Sequence, residues 1–148
     1  MRRSLVLCIV LSACGVGGNN ITQNGTFVPP EQTVTVPGVA GPVRLGGRME
    51  TSRRFIGIGT RPNHTITITL AGEEAGHAVM ETYSGGTVAG RWRGMPVVAA
   101  CTAHETAKAT RRFDCPVLVD SRPVGALSFH AWARGSGPPA VVLADIRN

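Results

Sequence analysis

The stretch His64-Thr65-Ile66-Thr67-Ile68-Thr69-Leu70 constrains the fold more than any other part of the chain. Ile66, Ile68 and Leu70 alternate with Thr65, Thr67 and Thr69, so an extended backbone sends the apolar side chains to one face and the hydroxyls to the other. A helix would scatter the same residues around its axis. Their β-branched side chains add a local preference for the pleated state. The pattern predicts a strand, the clearest in the chain, which needs partner strands to be stable.

Similar short runs recur downstream. Residues 71–76 read as a connection and residues 77–83 as a second strand, although AGHAVMETY also fits a short helix. Ser84-Gly85-Gly86 marks a turn before residues 87–93, and Gly94 precedes residues 95–103. SRPVG, residues 121–125, joins residues 115–120 to residues 126–132 as a compact hairpin turn. Gly57-Ile58-Gly59 opens like a dinucleotide-binding loop, but Pro62 stands where the third glycine belongs, and Arg61-Pro62-Asn63 reads as a turn into the His64 strand. Residues 139–146 form a last apolar run. With 19 Gly and 10 Pro punctuating these segments, the expectation is an all-β domain over residues 33–148, a small antiparallel β-sandwich or barrel. The best helix candidate is ACTAHETAKATRR, residues 100–112.

The front of the chain has a different character. Arg2 and Arg3 precede an apolar run over residues 5–11, too short to cross ~30 Å of hydrocarbon but the right size for an export signal. Leu11-Ser12-Ala13-Cys14 ends that run. It resembles the lipobox of bacterial lipoproteins. The resemblance implies that the Cys14 thiol receives a diacylglyceryl group, that residues 1–13 are removed as signal peptide, and that Cys14 becomes an acylated N-terminus. Several acyl chains, at ~0.8 kcal/mol per buried CH₂, make such an anchor practically permanent. Gly15, where an Asp would favour retention at the inner membrane, implies the outer membrane, with the domain facing the periplasm. Behind the lipid, GVGGNNITQNGTFVPP carries no charge and little to bury, so residues 14–32 read as lipidated cysteine plus flexible tether.

The cysteines follow from that signal. Of the four, Cys8 leaves with the signal and Cys14 takes the lipid, which leaves Cys101 and Cys115 to pair in an oxidising periplasm. The closed loop of about 15 residues would contribute ~3 kcal/mol. Cys101, His104, Cys115 and His130 could instead be assembled as a Cys₂His₂ zinc site, the weaker reading for an exported protein. His104-Glu105 opens like HExxH, but Lys108 replaces the second histidine, so a metalloprotease is not expected. No cofactor-binding motif is present, and Glu73 and Glu74 read as solvated charges on a connection.

The formal charge is +6, falling to +4 once Arg2 and Arg3 leave, and Lys108 is the only lysine. No nucleic-acid-binding module accompanies these cations. In a strand, Arg91 and Arg93 would share one face and send Trp92 to the other; with Arg53, Arg54, Arg111 and Arg112 they are candidates for contact with an anion or partner. Phe129 and Trp132 fall on opposite faces of their strand. The leading expectation is an outer-membrane-anchored periplasmic lipoprotein acting as a non-catalytic binding or structural module, with a protein partner in the cell envelope. The alternatives are an inhibitor or immunity lipoprotein that blocks a periplasmic enzyme or receptor, and an envelope hydrolase using His64, His77 or His130.

Overall fold

The computed structural model describes residues 24–107 and 110–132. Among these, every regular element is a strand: β1 (Gly25–Phe27), β2 (Gln32–Thr35), β3 (Pro42–Phe55), β4 (Thr60–Leu70), β5 (Glu73–Met80), β6 (Gly85–Trp92), β7 (Met95–Ala107), β8 (Thr110–Val119) and β9 (Arg122–Ala131). From β3 to β9 each strand pairs antiparallel with the next, in chain order, within one sheet. β1 and β2 share the remaining edge of β3, with β2 opposite Pro42 to Leu45 and β1 opposite Met49 to Thr51.

The alternation around His64 sets the inside of this sheet. Ile66, Ile68 and Leu70 are fully buried, as are Met49 on β3, Val88 on β6, Val97 on β7, Phe113 and Val117 on β8, and Phe129 on β9. One apolar face cannot be dry in a flat single layer, so the sheet curls around it. β9 is thereby brought over β2 and β3. A Cβ on Gly125 would lie 2.8 Å from Leu45 and 3.1 Å from Val34, and one on Gly47 would lie 3.1 Å from the Phe129 ring. Gln32 Nε2 donates to the Ala126 carbonyl at 2.6 Å. The protein is thus an all-β curled half-barrel, whose first and last long strands meet through side chains rather than through a ladder. Of the two architectures expected, sandwich and barrel, the single continuous sheet matches the second.

The turns at one end share a design. Ala71-Gly72, Arg93-Gly94 and Asp120-Ser121 join paired strands, and all six residues have positive φ. Two residues with φ > 0 form the tight hairpin whose twist matches that of the strands it joins. The β5–β6 contact depends on a missing side chain. Gly76 faces Gly90, and a Cβ on Gly90 would lie 2.0 Å from the Ala75 carbonyl oxygen.

Cys101 and Cys115 are bonded, with Cα atoms 4.1 Å apart. Ala99 faces Val117 and Thr102 faces Asp114, and this register sets the two cysteines against each other across β7 and β8. Both are buried. The bridge therefore joins two neighbouring strands inside the sheet, and it does not brace a loop lacking structure of its own.

Several sequence expectations are corrected. No described residue of the helix expected over residues 100–112 is helical: β7 continues to Ala107, and β8 begins at Thr110 and pairs back along it. Pairing with β6 as far as Thr102, and with β8 beyond it, overrides the helical propensity of that run. Residues 77–80 are extended, as the strand reading expects, but β5 starts earlier, at Glu73, inside the expected connection. Arg61, Pro62 and Asn63 belong to β4, not to a turn. β4 pairs with β5 only as far as His64, so beyond it β4 has one free edge, where a sheet accepts proline. The turn in SRPVG is shorter than expected, and Pro123 already pairs with Leu118. β1 falls within residues 14–32, read as tether, so ordered pairing begins earlier than composition implied. The apolar run 139–146 and the signal and lipobox lie outside the described residues.

Candidate functional site

The register divides the expected arginines between two ends of the half-barrel. Arg91 faces Pro96 at the start of β7, whereas Arg112 faces His104 and Arg111 faces Glu105 near its other end. Eight residues of strand separate these levels, roughly 27 Å. Arg53 and Arg54, at the far end of β3, lie at the Arg111 level. The six arginines therefore do not form one face.

Arg91 and Arg93 do not act as a pair either. Arg91 Nη1 donates to the Gly94 carbonyl at 3.0 Å. Arg93 has left the strand and occupies the left-handed region at φ 48°, with its guanidinium 4.6 Å from the centroid of the Trp92 ring. Trp92 is in the core as its strand position predicts, and its Nε1 has no hydrogen-bond partner.

At the opposite end, Arg111 points inward and is only 7% exposed. Its Nη1 lies 3.2 Å from Glu105 Oε1, and the guanidinium sits 5.1 Å from the centroid of the exposed Tyr83 ring. His64 is enclosed nearby, 5.1 Å from Phe113 between ring centroids, with Thr51 Oγ1 3.1 Å from its Nδ1. Its Nε2 is buried without a partner. Burial first, and the Arg111 charge second, push its pKa down to about 4. A histidine so enclosed stays neutral through the physiological range and reaches no substrate.

The outer face of β8 and β9 carries a polar cluster that no sequence motif announced. Asp114 accepts from Ser128 Oγ at 2.7 Å and from Arg112 Nε at 3.0 Å, and His104 Nε2 lies 3.4 Å from its Oδ2. Burial pushes this carboxyl up, but hydrogen bonds from Ser128 and Arg112 and the charges of Arg112 and His104 outweigh it, leaving the pKa below the usual carboxylate value. Ser, His and Asp are all present in the wrong order. The histidine and the serine both approach the carboxylate, so the histidine does not stand between them to take the hydroxyl proton.

His130 lies on the same face, stacked on Trp132 at 5.4 Å and tilted against Phe27 at 5.3 Å. Burial and then Arg112 lower its pKa, against an opposing effect of Asp114. His77 Nδ1 meets Glu74 Oε1 at 2.6 Å on exposed β5, and Glu73 is exposed beside it. His64, His77 and His130 thus sit in three separate environments. The zinc alternative also dissolves: Cys101 and Cys115 are spent on each other inside the sheet, while His104 faces outward to Asp114. His104 and Glu105 lie on a strand, pointing to opposite faces, rather than on the helix HExxH requires.

At the arginine-rich end, the Gly57-Ile58-Gly59 stretch that opens like a dinucleotide-binding loop is the tip of a hairpin. Phe55, Ile56 and Ile58 at the tip of the β3–β4 hairpin are 71%, 42% and 98% exposed. Ile56 N–H donates to the Gly59 carbonyl at 2.9 Å, and Gly57 at φ 87° turns the chain, so the tip is a formed hairpin. Directly below it Arg54 faces Arg61. The signal for this surface was present in RRFIGIGTR: large apolar residues on a glycine turn have no core to enter.

No family model matches the chain, and no curated protein or solved structure matches it either.

Proposed function

We propose that the protein is an outer-membrane-anchored periplasmic lipoprotein whose half-barrel serves as a non-catalytic binding or structural module, attached through lipid on Cys14 and contacting a protein partner in the cell envelope. The observation that carries this reading is the Cys101–Cys115 bridge set within the sheet. Such bonds persist in oxidising compartments, the destination that the signal ending in LSAC implies. The residues that could suggest catalysis have structural occupations: His64 packs in the core, and His104 and Ser128 both serve Asp114.

The test has two parts. Intact-mass and N-terminal peptide measurement on protein extracted from envelopes should find acyl groups on Cys14 and no residues before it. Crosslinking and capture from detergent-solubilised envelopes should recover a stable multisubunit assembly. An unmodified Cys14 on protein released to the medium would overturn the anchor. Capture of a single hydrolase or receptor, with its activity blocked, would replace the module with an inhibitor or immunity lipoprotein.

A further inference from the structure

The β3–β4 hairpin combines two features that water alone does not favour. Phe55 and Ile58 project almost fully into solvent at its tip, with Ile56 partly exposed beside them. Large apolar groups gathered at a protruding turn mark a surface that something covers. Below them, Arg54 and Arg61 are both exposed and occupy directly opposed positions on β3 and β4, where like charges repel. Neither has an ion-pair partner among the described residues. Arg53 adjoins them on the other face of the strand. An apolar tip above a collar of guanidinium groups matches the boundary of an anionic bilayer, where apolar side chains enter the acyl region and cations stay at the phosphates.

The path of the chain places the same end toward a membrane. β1 enters the sheet with Gly25 opposite Thr51. That point is four residues, ~14 Å along β3, from Phe55. From Cys14 to Gly25 the chain can span at most about 40 Å. A lipid on Cys14 would therefore be attached through the end that carries Phe55, Ile56 and Ile58, opposite the Trp92 and Arg93 end.

We infer that this hairpin is a second membrane contact, with Phe55, Ile56 and Ile58 seated in the interface of an anionic phospholipid leaflet and Arg54 and Arg61 on its phosphates. The orientation rests on the lipid-anchor reading. The affinity of the hairpin for anionic lipid does not, so the two can fail separately.

The test uses the mature chain, residues 14–148, in two forms. The first carries Cys14→Ser and no lipid, with its disulfide and β-sheet circular dichroism checked. It is sedimented with vesicles of phosphatidylcholine, pure or with 30 mol% phosphatidylglycerol. The expected result is at least tenfold tighter binding to the phosphatidylglycerol vesicles at low salt, weakened by roughly fivefold for each of Arg54→Gln and Arg61→Gln. Combined Phe55→Ser, Ile56→Ser and Ile58→Ser should abolish binding without changing the circular dichroism. The second form is lipidated at Cys14 and reconstituted in the same vesicles, with Ile58→Trp or, as control, Val98→Trp; brominated acyl chains should quench the added emission only at position 58. Equal binding to both vesicle types, no binding to either, or no quenching at position 58 would overturn the inference. So would dimerisation in solution that the serine substitutions remove. Absence of lipid on native Cys14 would defeat the anchor and its orientation while leaving the unlipidated binding result intact.

Discussion

Thr51 and His64 face each other across β3 and β4 inside the half-barrel, with Thr51 Oγ1 3.1 Å from His64 Nδ1. The pair forms a neutral polar contact within an apolar interior, beside the Phe113 ring and within the field of Arg111. A second proton on the ring would place a cation among these neighbours with no carboxylate to receive it.

The pH dependence of stability follows from that enclosure. His64 has a pKa of about 4 in the folded protein, against an ordinary value of 6.5. Between these values the unfolded chain binds a proton that the native state refuses, so stability rises with pH across the window and is lost as pH falls from about 6.5 to about 4. The full loss is on the order of 3 kcal/mol. Urea midpoints measured from pH 7 to pH 4 should fall accordingly, and His64→Gln should flatten the fall. An unchanged slope in the variant would show that His64 is not the titrating group.

Cys101 and Cys115 link neighbouring strands at a sequence separation of 14. Replacing both with alanine should cost about 3 kcal/mol, since the unfolded chain regains the freedom of that loop. Denaturant unfolding of the oxidised protein and of the double variant measures the difference. The variant should keep its β-sheet circular dichroism, because β7 and β8 retain their ladder on both sides of the bridge.

Gly90, like Gly85, cannot accept a side chain without moving backbone, and unlike Gly85 it has no positive φ to add strain of its own. An added Cβ would collide with the Ala75 carbonyl oxygen, so Gly90→Ala must push β5 and β6 apart at their paired glycines. We expect a loss of about 3 kcal/mol, at the upper end for overpacked sites. Hydrogen exchange should show lost protection localised to β5 and β6. Gly72→Ala has open space around its Cβ but a φ of 81°, so its smaller cost would come from backbone strain alone.

Asp114 holds Arg112, Ser128 and His104 together on the outer face. Its folded-state pKa is lowered, so the stability it contributes is present above the ordinary carboxylate pKa and is lost as pH falls through the lowered value. Asp114→Asn should cost about 1 kcal/mol at pH 7, discounted for its partial exposure, and the difference from wild type should vanish in acid. Thermal unfolding at both pH values checks this. A cost that persists unchanged in acid would assign it to packing instead.

Local chemistry along the chain settled a good deal. The Thr/Ile alternation in residues 64–70 fixed an extended segment and its buried face, because a period of two has only one regular backbone to match. The strand position of Trp92 sent its indole inward, and the count of available cysteines named Cys101 and Cys115 as partners. Other features depended on what lies across the sheet. Residues 100–107 have no intrinsic commitment to strand, and they extend because β6 pairs with them as far as Thr102 and β8 pairs along the rest. Pro62 could join β4 only because β5 stops short of it, a fact about strand lengths that no local window contains. Arg91 and Arg112 look alike in sequence but stand at opposite ends of β7, since separation in space depends on register. The serine, histidine and aspartate on β7, β8 and β9 likewise came together only through pairing. Side-chain alternation is a property of one strand and is therefore written in its residues, whereas register and closure depend on free-energy differences between whole arrangements of the sheet, and these were decided only in the folded molecule.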